Sequence, residues 1–266
     1  MQHTYGAKRV KLEFLEGPAG PLFSVLSEPA VDIASQGAVL FCPPFADELN
    51  KSRQMVASQC HELAAAGFTV LQLDLSGCGD SGGEFVDARW CGWVEELYAA
   101  WLWLKNSTGH EPVLWGLRSG ALLATEVAAK ISSMSGRAPN LLFWAPVASG
   151  KTFVGQYLRL RLASGMFGKE AESGADLREI LAAGTPLEVA GYALHPELVA
   201  TIEDTSIAAF VSELADIKLH WLDVGRSDKG LSPASERVIG KLSDAGVAVS
   251  ADSVVAEPFW NTPEIS

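Results

Sequence analysis

The pentapeptide Gly116-Leu117-Arg118-Ser119-Gly120 joins an apolar run, "VLW", to a small-residue run, "ALLATEVAAKI". A strand that turns sharply into a helix, with small residues two before and two after the apex, presents a nucleophile in many enzymes, because larger flanking side chains collide in so tight a turn. Gly116 and Gly120 frame Arg118, which is therefore the expected apex. Moving the apex to Ser119 would put Leu117 and Ala121 in the flanks, and leucine would clash. A guanidinium is neither a nucleophile nor a base at neutral pH. At a helix start it joins N–H groups that already favour an anion, so an opposed negative charge is required. Glu257, Asp228 and Glu48 are the candidates within the chain. The alternative is a bound carboxylate, phosphate or sugar acid held in bidentate geometry, and the two are compatible if ligand displaces the internal partner. Ser119 takes the position that lends a backbone N–H to an oxyanion site, and its hydroxyl is read as structural.

A second polar concentration is "PPFADELNKSR". Phe45 and Ala46 offer backbone N–H groups suited to an oxyanion site, while Asp47, Glu48, Asn50, Lys51 and Arg53 crowd one short loop that also suits a solvated helix start. A third loop, "GCGDSG", matches G-x-G-x-x-G after a strand, but the next convincing helix begins near Arg89 or Trp90, too late to aim its N-terminus at a pyrophosphate. No cofactor is expected. The four cysteines lack CxxC pairing and the five histidines lack metal-ligand spacing, so neither a metal site nor a disulfide framework is expected.

These loops need a scaffold. "VKLEFLEG" and "PLFSVLSE" flank "PAG" as an antiparallel hairpin. After them apolar strand runs ("GAVLFC", "FTVLQLDL", "EPVLWG", "NLLFW", "KLHWLDV", "AVSADSVVA") alternate with helical patterns, which argues a mostly parallel sheet covered by helices on both faces. Between about 150 and 215 the strand pattern stops and helical periodicity takes over. The expected organisation is a core of 1–149 and 216–266 with a helical cap inserted at 150–215. In such sheets, ligands bind beyond the carboxyl ends of the strands.

The 266 residues carry a net charge of −12 with 48% hydrophobic residues. That is ample for one large core, and it opposes a nucleic-acid partner, which needs a basic surface to displace counterions. No stretch reaches the roughly 18 to 20 apolar residues of a membrane span, and the start lacks a signal-peptide pattern, so a cytoplasmic protein is expected.

The order of elements, the "LDLSGCGDSGG" loop and "LWGLRSGALLA" resemble the α/β-hydrolase superfamily over nearly the whole chain. "PPFADELNKSRQM", "LLFWAPVASG", "LEVAGYAL" and "EPFWNTPE" more specifically resemble the second of two hydrolase-like families associated with the exosortase A system of bacterial exopolysaccharide and PEP-CTERM sorting clusters. The resemblance implies an α/β-hydrolase fold, a cap shaping a pocket, and chemistry on an ester, thioester or other acyl bond. On this fold a triad runs nucleophile, acid, histidine. Asp228, after "LHWLDV", is the expected acid. "AEPFWNTPEIS" follows the last strand without a histidine, and Glu257 occupies that region. His195, in the insertion, is the one histidine placed to overhang a pocket, with capping before Pro196 as the plainer role. Phe45, Trp144 and Trp260 are candidate pocket aromatics. Three functions remain: a hydrolase with an unorthodox constellation, a triad-less binding protein for an anionic or acyl small molecule, and a non-hydrolytic enzyme in which Arg118 stabilises developing charge. Oligomeric state is not legible.

Overall fold

A computed structural model describes residues 9–165, 173–226 and 228–261, for 163–165 the backbone alone. The described residues open with β1 (Arg9–Gly17) and β2 (Gly20–Glu28), an antiparallel hairpin, followed by β3 (Gly37–Cys42), α1 (Asp47–Ala65), β4 (Phe68–Leu73), α2 (Trp90–Thr108), β5 (Val113–Leu117), α3 (Gly120–Ser135) and β6 (Leu141–Trp144). Next come α4 (Gly150–Gly165), α5 (Gly174–Ala182), a small hairpin of β7 (Leu187–Val189) and β8 (Tyr192–Leu194), and α6 (Pro196–Asp204). β9 (Lys218–Gly225), α7 (Pro233–Asp244) and β10 (Ala248–Val255) complete the described chain.

One eight-stranded sheet runs in the order β1-β2-β4-β3-β5-β6-β9-β10. Only β2 opposes its neighbours; β4, β3, β5, β6, β9 and β10 pair in parallel. The central strands are apolar on both faces, with Leu40, Leu71, Leu114 and Phe143 fully buried, because helices cover both sides. Two buried clusters result: a large one around α2, α3 and the 150–215 segment, and a smaller one in which Val56 and Cys60 of α1 meet Phe41 and Trp115.

Two differences from the sequence reading bear on function. The polar stretch after Pro44 is not a loop. Helix α1 starts at Asp47, so the helix-start alternative holds, and it places Asp47 and Glu48 in its first turn, where negative charge complements the helix dipole. The segment from 150 to 215 is not wholly helical: "LEVAGYAL" forms the β7–β8 hairpin around Ala190 and Gly191, both at positive φ.

The glycine loop after β4 is an internal turn. Gly77 N–H donates to Gly82 O at 2.9 Å, Asp80 N–H donates to Asp74 Oδ2 at 3.0 Å, and the Ser81 hydroxyl donates to Asp74 O at 2.5 Å. Gly79 has φ 54°, and its missing Cβ leaves room for the Asp74 carboxylate, which Arg53 also clamps at 3.1 Å. The loop's glycines thus fold it around Asp74, and helix α2 does not begin until Trp90.

Candidate functional site

The turn between β5 and α3 has Arg118 at its apex, in the left-handed region at φ 54°. A Cβ on Gly116 would lie 2.5 Å from Ala121 Cα, and one on Gly120 would overlap Cys42 O. The two glycines are therefore demanded by packing, as the sharp turn requires.

Ser119, next in the chain, is 1% exposed, and its Oγ accepts the Phe45 N–H at 2.9 Å. This N–H belongs to the loop after β3, where an oxyanion donor would be sought. Among the described residues a void of about 10 Å³ lies between Pro43, Phe45, Ala46, Trp93, Ser119 and Leu123. That is roughly the lower limit for one water and far below an acyl group. Above it the Phe45 ring packs edge-on against Phe85, Trp93, Phe153 and Tyr157, with centroids 5.3 to 6.0 Å apart. Phe153 and Tyr157 come from α4, so the 150–215 segment helps to close the space over Ser119.

Arg118 turns elsewhere. Its Nε and Nη2 both donate to Glu48 Oε1 at 3.3 Å, its Nη1 donates to Ala145 O at 3.2 Å, and its guanidinium lies 4.9 Å from the centroid of the Trp260 ring. Ala145 has φ 45°, which turns its carbonyl region toward the apex at the end of β6. Of the sequence candidates, Glu48 is thus the internal partner. The pair is not fork to fork: one carboxylate oxygen takes both bonds, while Glu48 Oε2 is buried without a hydrogen-bond partner among the described residues. Burial raises the Glu48 carboxyl above its ordinary value, and the adjacent Arg118 charge only partly offsets that.

Beside Arg118 opens a cleft of about 640 Å³, framed by Ala145, Asp223 within strand β9 shortly before its end at Gly225, Lys229, Ser232 at the start of α7, and Trp260. None of the four described histidines lines it. Asp223 is not among the sequence candidates, although a carboxylate inside the apolar run "LHWLDV" is a usable signal. Its Oδ1 accepts from Trp221 Nε1 at 2.8 Å and Ser235 Oγ at 2.9 Å, and its Oδ2 from Ser232 N–H at 3.0 Å. Asp223 therefore ties α7 to β9.

The remaining candidates disperse. Asp228 is exposed. Glu257 is exposed and pairs with Arg226 at 2.9 Å, away from Arg118, because the chain after β10 runs outward before Phe259 and Trp260 turn back in. His195 caps α6: its Nδ1 accepts the Glu197 N–H at 3.1 Å. Lys51 pairs with Asp47 at 2.6 Å, and Asn50 donates to Tyr192 Oη at 2.9 Å. With Arg53 on Asp74, the polar groups of α1 are thus largely engaged within the protein. Trp144 stacks on Trp115 at 5.7 Å, in the smaller cluster rather than in the cleft. Among the described residues no cluster of histidine, cysteine or carboxylate side chains is suited to a metal ion, and no helix is long and apolar enough to cross a membrane.

No protein-family model and no curated relative matches the sequence. Solved structures do. An α/β-hydrolase from Vibrio vulnificus is 17% identical with a TM-score of 0.59, over 92% of this chain and 73% of that one. Est1E from Butyrivibrio proteoclasticus, solved with ferulic acid, gives 13% and 0.60 over 93% of both chains. A thermostable carboxyl esterase from Bacillus coagulans, solved with glycerol, gives 12% and 0.59 over 94% and 91%. The chain has the α/β-hydrolase fold, a likeness that at these identities speaks for architecture alone.

Proposed function

We propose that this α/β-hydrolase-fold protein is a triad-less binding protein that holds an anionic small molecule in the cleft beside Arg118. The observation that carries this reading is the division of the elbow. Ser119 and the Phe45 N–H are engaged with each other in a space too small for an acyl group, whereas Arg118 borders a cleft of about 640 Å³. A guanidinium has five N–H donors in a fixed fork. Three are directed at Glu48 and Ala145, which leaves two for a ligand oxygen pair. A carboxylate, a phosphate or a sugar acid fits that demand.

In this reading the core comprises 1–149 and 216–266 and, among the described residues, it alone lines the cleft, while the 150–215 segment is a cap that closes over Ser119 through Phe153 and Tyr157. The motif resemblance supports a role beside bacterial exopolysaccharide or PEP-CTERM sorting systems. Four free thiols, Cys42, Cys60, Cys78 and Cys91, suit a cytoplasmic setting. A second reading, hydrolysis of an ester or thioester, draws on the esterases among the solved structures of this fold.

One experiment separates them. Purified protein and Arg118→Ala are melted with phosphate, citrate and glucuronate, and assayed in parallel on short- and medium-chain p-nitrophenyl esters beside Ser119→Ala. Stabilisation by an anion that disappears in Arg118→Ala, with no ester turnover, is the expected result. Turnover abolished by Ser119→Ala would overturn the binding reading in favour of the hydrolase.

A further inference from the structure

Among the described residues strand β1 is one edge of the sheet and pairs only with β2. Its outer face is apolar and open: Val10 is 42% exposed, Leu12 68% and Phe14 60%. A nine-residue edge strand with three exposed apolar side chains in alternation is a template for another strand, and proteins commonly blunt such edges with an inserted charge. Here the charges have a pattern. In a chain of net charge −12, β1 carries two bases, Arg9 and Lys11, and two acids, Glu13 and Glu16, so it is locally neutral.

We infer that β1 is the interface with a second copy of this chain, joined edge to edge and antiparallel about a two-fold axis at Leu12. In that register each residue lies opposite the one whose number completes a fixed sum. Leu12 meets the partner's Leu12, Val10 meets the partner's Phe14, and Phe14 meets the partner's Val10. On the other face Lys11 meets the partner's Glu13, and Glu13 meets the partner's Lys11. Directly opposed apolar pairs and opposite charges each stabilise an antiparallel ladder. The strand is thus self-complementary, which an isologous interface demands. Lys11 is available for this: it touches Glu28 of β2 at 2.8 Å, yet its side chain remains 53% exposed. At the opposite edge, β10 places Asp252 mid-strand with no base in the strand to match it. Two sheets of eight strands would become one of sixteen, and the cleft beside Arg118, which follows β5 four strands from β1, would be left open.

The test is sedimentation velocity on the full chain over a wide concentration range, with four samples: wild type, Leu12→Asp, Lys11→Glu and Glu13→Lys. The wild type is expected to dimerise and Leu12→Asp to sediment as a folded monomer with an unchanged circular dichroism spectrum. Each charge reversal places like charges opposite one another twice and is expected to weaken the dimer by about tenfold. An equimolar mixture of the two reversed chains restores both opposite-charge pairs and should dimerise like wild type, even if Leu12→Asp fails to fold. A wild type that stays monomeric at every concentration, a dimer indifferent to the substitutions, or a mixture no tighter than its components would overturn the inference.

Discussion

The Ser119 hydroxyl and the Phe45 backbone N–H, 74 residues apart in the chain, satisfy each other at 2.9 Å inside the buried core of the elbow. In an acyl-transfer site these two positions work on a substrate: the loop N–H stabilises an oxyanion, and the residue after the apex contributes its own N–H. Here the side chain after the apex takes the loop donor for itself. The elbow keeps its backbone shape while its polar groups hold β3 to α3.

Ser119→Ala should therefore act on stability rather than on turnover. It strands a buried N–H, at a cost of about 1–3 kcal/mol. Urea denaturation should show this loss, and ester hydrolysis by wild type and variant should be equally absent. An unaltered midpoint would mean that the Phe45 N–H finds another acceptor, and the elbow would then be open to ligands.

Arg118 and Glu48 form a second internal pair, with side chains 18% and 10% exposed. Removing Arg118 leaves a mostly buried carboxyl without its cation. Arg118→Ala is expected to cost about 3 kcal/mol, near the lower end for a broken buried pair because some water reaches it. Glu48→Gln in the same chain should recover part of that loss, since a neutral amide tolerates burial better. A double-mutant cycle measures the coupling; strictly additive effects would contradict a direct pair.

Much of this molecule is legible in its sequence, and the reasons are local. Alternating apolar runs and helical periods are set by burial on one or both faces, so the strands from "GAVLFC" to "AVSADSVVA" and their intervening helices follow from hydrophobic pattern alone. Gly116 and Gly120 identify Arg118 as the apex because sterics act over four residues. The partner of Arg118 is harder to read. Glu48, Asp228 and Glu257 are equivalent in composition, and only the early start of α1 brings Glu48 to the guanidinium. Asp223 is passed over for Asp228 because strand ends are poorly marked: β9 runs through Gly225, so the polar residue lies within the strand. The closure over Ser119 is tertiary, depending on Phe153 and Tyr157 arriving from a distant helix.

Glu96 makes stability fall as pH rises. Its Oε2 accepts the Ser76 N–H at 2.9 Å, its Oε1 is buried without a partner among the described residues, and burial raises its carboxyl above the ordinary 4.5. Below 4.5 the group is protonated in both folded and unfolded chains. Above that value the unfolded chain releases the proton first, so ionisation draws the equilibrium toward unfolding until the folded chain also ionises. Glu96→Gln keeps an acceptor for Ser76 and has no proton to lose. Its stability relative to wild type should therefore increase from pH 4.5 upward and level off above the folded carboxyl's titration. A difference that stays constant across this range would show that burial does not raise the Glu96 carboxyl above its value in the unfolded chain.

The elbow itself offers the sharpest structural test. Gly120 begins α3 with its Cα against the carbonyls of Cys42 and Pro43, and a Cβ there would meet backbone oxygen rather than a side chain that can swing aside. Gly120→Ala must therefore push β3 and α3 apart, parting the Ser119 hydroxyl from the Phe45 N–H and shifting Arg118 relative to Glu48. Several buried contacts lie in the path of that movement, so the expected loss is about 3 kcal/mol or more, in the range of overpacked cores. Gly155→Ala is the matched control: its Cβ would meet no atom within contact range, and in the helix interior alanine is favoured over glycine by about 0.5–1 kcal/mol. Thermal melts of the two variants should move in opposite directions. Equal melting temperatures would mean that the sharp turn relaxes without cost, and that Arg118 is not fixed at the apex by the packing around it.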